Sequence, residues 1–165
     1  MEVKFYSLSD ETRVPCRDMN YGRHFSCQTV EEQVLKFAVI ISRADGKWVF
    51  CKHKDRNTYE VPGGHREENE SILETAKREL YEETGAIEYD LRPVCVYSVI
   101  GRTRVNPTGE ETFGMLYYAE IRKFEQELHS EIEKVELFEE LPEAWTYPDI
   151  QPLLIREYLR REARY

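Results

Sequence analysis

Four cysteines are too few and too scattered to make this chain a disulfide scaffold or a zinc domain. Cys16, Cys27, Cys51 and Cys95 form no C-x-x-C pair and show no zinc-ligand spacing, so they read as reduced thiols. No apolar run has the length that crosses a bilayer and no secretory leader is legible; the expected location is the cytoplasm, with no membrane partner. Positive charge is also short. With 23 Lys and Arg against 32 Asp and Glu, the formal net charge is −9. That balance argues against a nucleic-acid polymer as the main ligand, because phosphate contacts need Lys/Arg surfaces. A small polyphosphate stays compatible if metal ions bridge the charges. Repeats, low-complexity tracts and linkers are absent. A length of 165 residues suits one domain over 1–165, with residues 1–33 as an N-terminal extension of unassigned structure.

What the chain does have is one dense stretch, Gly63 to Ile87. Ser71 followed by Glu74 is a capping box that satisfies the first free N–H groups of a helix, and Gly85 suits a left-handed end to it. Between them, Leu73, Ala76 and Leu80 share a face suited to the core, while Glu79, Glu82 and Glu83 fan over an adjacent arc. That arc is unfavourable in an isolated helix. Glu79 and Glu83 repel at i,i+4, and all three carboxylates lie where the helix dipole is negative. Arg78 offsets part of this through Glu82. Carboxylates gathered in such a place point to a hard divalent cation, Mg²⁺ or Mn²⁺.

The rest of the chain alternates strands and helices. Val3–Leu8 predicts a short edge strand. Val34–Ser42 is a nearly continuous apolar run, as in a strand buried on both faces, and Ala44–Lys47 is a turn leading into a second strand at Trp48–Lys54. Thr58–Val61 predicts a short strand before Pro62-Gly63-Gly64, where the paired glycines allow close backbone approach to a ligand. Strands are expected at Leu91–Ile100, Thr112–Ile121 and Glu131–Phe138. A closing helix is expected from Pro148, with Ile150, Leu153, Leu154, Tyr158 and Leu159 as its apolar stripe. The class is α/β.

The dense stretch resembles the Nudix box, G-x5-E-x7-R-E-U-x-E-E-x-G-U, where U is aliphatic. Gly64, Glu70, Arg78, Glu79, Leu80, Glu82, Glu83 and Gly85 occupy their places, and Ala86 fills the last aliphatic position with a smaller side chain than usual. The resemblance implies an α/β/α sandwich with a mixed sheet. It also implies Mg²⁺ or Mn²⁺ on Glu79, Glu82, Glu83 and the Gly63 carbonyl, with Arg78 holding the carboxylates and Glu70 orienting Arg78 or capping. The implied reaction is hydrolysis of a nucleoside diphosphate linked to another group, by attack of water at phosphorus. The family often takes its general base from beyond the box; the best match is Glu131, then Glu133.

Lys52, His53 and Lys54, before Gly63, and Arg102 and Arg104, after Ile100, are candidate phosphate contacts. Tyr97, Phe113 and Tyr59 are candidates for stacking on a base. His24, His65 and His129 show no ligand spacing. The expected substrate is a small nucleotide: a nucleoside triphosphate, an oxidised purine such as 8-oxo-dGTP included, cleaved to monophosphate and pyrophosphate as in the MutT type. The alternatives are ADP-ribose or a dinucleoside polyphosphate, or binding without catalysis. Oligomeric state is open, a homodimer being one option.

Overall fold

The computed structural model describes residues 1–6, 8, 32–103, 106–125 and 132–163. Its strands are β1 (Glu2–Tyr6), β2 (Leu35–Ala44), β3 (Lys47–His53), β4 (Gly63–His65), β5 (Ala86–Ile100), β6 (Thr112–Phe124) and β7 (Ile132–Phe138). Its helices are α1 (Ile72–Thr84) and α2 (Gln151–Glu162). A 3-10 turn at Glu32–Val34 precedes β2.

The apolar run of β2 sits in the middle of the sheet, with Ala38, Ile40 and Ile41 wholly buried. The order is β1-β5-β6-β2-β3-β7, and β4 also pairs with β2. The sheet is mixed: β2 runs parallel to β6, whereas every other pair is antiparallel. The β2–β3 hairpin turns at Asp45 and Gly46, both at positive φ, as the Asp-Gly signal demands.

One feature of β2 creates the site. Its C-terminal end, Ser42–Ala44, pairs with β3, and its earlier part, Phe37–Val39, pairs with β4. Residues 59–62 make the passage between the two partners. Glu60 bridges to Cys51 of β3, and the Pro62 carbonyl then accepts from Ile40 N–H at 2.8 Å. The expected strand at Thr58–Val61 is therefore only a pair of isolated bridges, and the regular strand is the Gly63-Gly64-His65 segment that follows. Gly63 is required there, because a Cβ would stand 2.6 Å from the Ala38 carbonyl oxygen.

α1 forms where the capping signals place it. Ser71 accepts from Glu74 N–H, Glu74 returns the bond to the Ser71 N–H at 2.7 Å, and Gly85 ends the helix at φ 71°. Its core face differs from expectation: Ile72, Ala76 and Leu80 are buried, whereas Leu73 is 42% exposed. Docking has turned the helix by about one residue, and this brings Glu79 under it. α2 begins at Gln151 with Pro152 in its first turn, so Pro148 lies before the helix. Its buried stripe is Leu154, Ile155 and Tyr158; Leu159 is 44% exposed, so Ile155 takes the place expected for it.

α1 covers the sheet face carrying Ala38, Ile40 and Val96, and α2 covers the face carrying Ile41, Cys95, Tyr97 and Leu116. The result is the expected α/β/α sandwich. Each fully buried aliphatic side chain in these layers contributes about 1.5–3 kcal/mol.

Candidate functional site

The second half of α1 faces the β4 backbone, and Arg78 organises it. Its Nε and one terminal nitrogen grip Glu70 at 2.6 and 3.0 Å, a bidentate pair. The other terminal nitrogen donates to Glu79 at 2.7 Å and Glu82 at 3.2 Å, and the His65 carbonyl accepts a further bond at 3.0 Å. Glu70 also accepts from Glu67 N–H and the Thr75 hydroxyl. Hydrogen bonding from Arg78 holds the Glu70 carboxyl down at about 2, and the same bond pushes the guanidinium up. Glu70 is thus the group that aims Arg78.

The three box carboxylates have different surroundings. Glu82 is on the outer side. Glu79 is buried, and Gly64 is directly above it: a Cβ at that glycine would fall on the Glu79 carboxylate. Burial raises the Glu79 carboxyl to about 7; Arg78 opposes this and the charge of Glu83 adds to it. Glu83 accepts from Gly63 N–H at 2.8 Å. The two glycines of β4 therefore bring backbone against both carboxylates, and Glu79 and Glu83 line a cavity of about 360 Å³.

Sequence reasoning missed Glu60, which joins them. It is buried beside His53, whose Nε2 lies 2.6 Å from one Glu60 oxygen and 3.6 Å from Glu83. Arg56 donates to the other Glu60 oxygen at 3.1 Å. Burial raises the Glu60 carboxyl. The His53 imidazolium is favoured first by its hydrogen bond to Glu83 and then by the Glu60 charge. The donor atoms of His53, Glu60 and Glu83 all lie within 4.8 Å of one another, so this group could also hold a metal ion. Only its distance from Gly63, three residues on, hints at Glu60 in the sequence.

The donor set suits a hard dication. Carboxylate oxygens of Glu60 and Glu83 gather beside the His53 imidazole, and Glu79, whose carboxyl burial has raised to about 7 and which a positive charge would return to the ionised form, lines the same cavity. Arg78 is shared among Glu70, Glu79 and Glu82, and so offsets only part of the Glu79 charge.

The other candidates divide. His53 reaches the cavity; Lys52 is ion-paired with Glu133 instead, and Lys54 and Arg102 are exposed and outside the lining. Arg104 and Glu131 lie outside the described residues, as do Cys16, Cys27, His24 and His129. Cys51 and Cys95 are free and buried. Of the aromatic residues, Tyr97 lines the cavity, whereas Phe113 packs on Tyr6 and Tyr59 on Phe138. The cavity also takes in Arg56, Thr103, Asn106, Tyr147 and Gln151, none of which carried a sequence signal.

The chain is 38% identical over 109 residues to YtkD of Bacillus subtilis (strain 168), whose name proposes an 8-oxo-dGTP diphosphatase. The aligned stretch is 66% of this chain and 65% of that protein, so the chain spans just under two thirds of this relative. Over 97% of its length the chain resembles a crystal structure of a variant of the Bacillus subtilis pyrophosphohydrolase BsRppH. The two share 26% identity with a TM-score of 0.65, and the match covers 90% of that chain. A Caenorhabditis elegans Ap4A hydrolase shares the fold alone, at 16% identity and a TM-score of 0.60, covering 79% of this chain and 100% of that one. The NUDIX domain model matches residues 32–160, the stretch that holds α1, most of α2 and the carboxylate site, and the chain belongs to the Nudix family.

Proposed function

We propose that this chain is a Mg²⁺- or Mn²⁺-dependent pyrophosphohydrolase that cleaves a nucleoside triphosphate to the monophosphate and pyrophosphate, acting in the cytoplasm. The observation that carries the reading is the meeting of Glu79 and Glu83 with the Gly63-Gly64 backbone at the mouth of a nucleotide-sized cavity. Glu79, Glu82, Glu83 and the Gly63 carbonyl would hold the cation. When bound, it would neutralise diphosphate oxygens and the charge that develops at the attacked phosphorus.

The chain's own groups do the positioning. Arg78 fixes the Glu79 and Glu82 carboxylates, and Gly63 N–H fixes Glu83. Arg56 and His53, which line the same cavity, supply the positive charge that would meet phosphate oxygens. The apolar wall of Phe37, Val39, Tyr97, Val99 and Leu154 would take the base. Glu131 is retained as the general base on its match to the family's pattern beyond the box. Glu133 is occupied by Lys52, which lowers its carboxyl and makes it a poor proton acceptor. The name of the YtkD relative supports a purine triphosphate, oxidised or not.

The test is a panel of nucleotides with Mg²⁺, products identified by mass, with Glu82→Gln and Glu131→Gln beside the unmodified protein. Monophosphate and pyrophosphate are expected, with activity lost in Glu82→Gln while the helix content is kept. Glu131→Gln should lower turnover at unchanged metal affinity. Orthophosphate as main product, or turnover of ADP-ribose or a dinucleoside polyphosphate alone, overturns the triphosphate reading; no turnover at all leaves a binding module.

A further inference from the structure

Each carboxylate beside His53 is anchored by one oxygen and aimed with the other. Glu60 Oε2 accepts from Arg56 at 3.1 Å, and Glu60 Oε1 lies 2.6 Å from His53 Nε2. Glu83 Oε2 accepts from the Gly63 N–H at 2.8 Å, and Glu83 Oε1 lies 3.6 Å from the same Nε2. Two carboxylates held from behind thus converge on one imidazole nitrogen. The three side chains come from β3, from the 59–62 passage and from α1, so no local turn explains their meeting. They are only 17%, 6% and 13% exposed, and they line the cavity, which gives an ion a way in. A cation about 2.0–2.2 Å from each donor needs the donors roughly 3–3.5 Å apart. All three lie within 4.8 Å of one another, so shifts on the order of 1 Å would seat it.

We propose that His53, Glu60 and Glu83 form a second cation site, one that selects a transition ion of the Zn²⁺ type over Mg²⁺. His53 and Glu60 lie outside the box, and only Glu83 is shared with the Mg²⁺ assigned to Glu79, Glu82 and the Gly63 carbonyl. Ligand chemistry sets the selectivity. Mg²⁺ keeps oxygen ligands and several waters, whereas Zn²⁺ and its neighbours in the first transition row take imidazole nitrogen readily. One nitrogen and two carboxylate oxygens make a three-ligand set that leaves Zn²⁺ a further position for water or a phosphate oxygen. The charges agree: two carboxylates balance a dication, and Arg56 stands on the far oxygen of Glu60. Arg56 and the Gly63 N–H are the outer partners that orient ligating carboxylates in a metal centre. Because Glu83 serves both ions, the two sites are coupled, and each changes the affinity of the other by the same factor. The assignment concerns the nucleotide-free chain and does not depend on turnover.

The experiment titrates the nucleotide-free protein, stripped of metal, with Zn²⁺ by calorimetry in excess Mg²⁺, which fills the box carboxylates. One Zn²⁺ per chain should bind under these conditions. His53→Gln keeps a polar side chain but removes the imidazole, and Glu60→Gln removes one charge. Each should lower the preference for Zn²⁺ over Mg²⁺ by about 10- to 100-fold, with Mg²⁺ affinity in His53→Gln moved by less than about threefold. A loss of stability alone would weaken both cations together and leave the preference unmoved. Pulsed EPR of the unmodified protein with Mn²⁺ should show coupling to an imidazole nitrogen, and His53→Gln should remove it. The unmodified protein decides that point whatever the variants do to the fold. No Zn²⁺ bound in excess Mg²⁺, an unchanged preference in both variants, or no nitrogen coupling in the unmodified protein overturns the proposal. Turnover with Mg²⁺ and no such site would leave the hydrolase standing without it. Zn²⁺ bound at His53 with no nucleotide turned over would sink the hydrolase and keep the site.

Discussion

Replacing Glu79 by glutamine isolates the electrostatic cost that the fold carries at this site. Burial raises the Glu79 carboxyl from 4.5 to about 7. The folded pKa lies above the unfolded one, so between these values the native state binds more protons, and stability falls as pH rises. The contribution is complete below about 4.5 and gone above about 7. At about 1.4 kcal/mol per tenfold, the ionised carboxylate costs the metal-free protein on the order of 3 kcal/mol. Glutamine has nearly the same shape, can still accept from Arg78 and never ionises. In EDTA, urea unfolding should therefore find Glu79→Gln and the unmodified protein nearly equal at pH 4. At pH 8.5 the variant should be more stable by about 2–3 kcal/mol, and its Tm higher by roughly 2–4 °C for each of them. Saturating Mg²⁺ should narrow the gap, since the cation stabilises the form that binds it. A variant no more stable than its parent at pH 8.5, or one stabilised equally at both pH values, would refute the reasoning.

Three further outcomes follow from the same geometry. Gly64→Ala puts a Cβ onto the Glu79 carboxylate and should abolish activity with the helix content intact; near-normal turnover would mean that Glu79 can move at no cost. Glu70→Gln removes the charge on which Arg78 is aimed, and calorimetry should show Mg²⁺ affinity falling by about 10- to 100-fold, while an unchanged affinity would make Glu70 a cap only. Ser71→Ala removes half of the capping box and should cost about 1 kcal/mol in urea unfolding, and no loss would show α1 held by packing alone.

The sequence by itself determined α1 and the family's carboxylate pattern, because both are local. Ser71, Glu74 and Gly85 act within a turn of the backbone groups they satisfy, and the spacing of Glu79, Glu82 and Glu83 follows from 3.6 residues per turn. The mixed sheet was legible for a similar reason, since β2 carries its own burial in its composition. Tertiary structure decided everything that depends on what comes from elsewhere in the chain. Which side of α1 is inward was set by docking, which hid Ile72 and Glu79 and left Leu73 out. β4 has the composition of a turn and is a strand only because β2 is close enough to pair with glycine backbone. Two prolines four residues apart each suit a helix start, and packing chose the later. Lys52 looks like a phosphate contact until β7 brings Glu133 beside it. Glu60 and Gln151, 91 residues apart, have ordinary neighbours in sequence; they meet in one cavity because the split in β2 lets residues 59–62 pass between β3 and the start of α2.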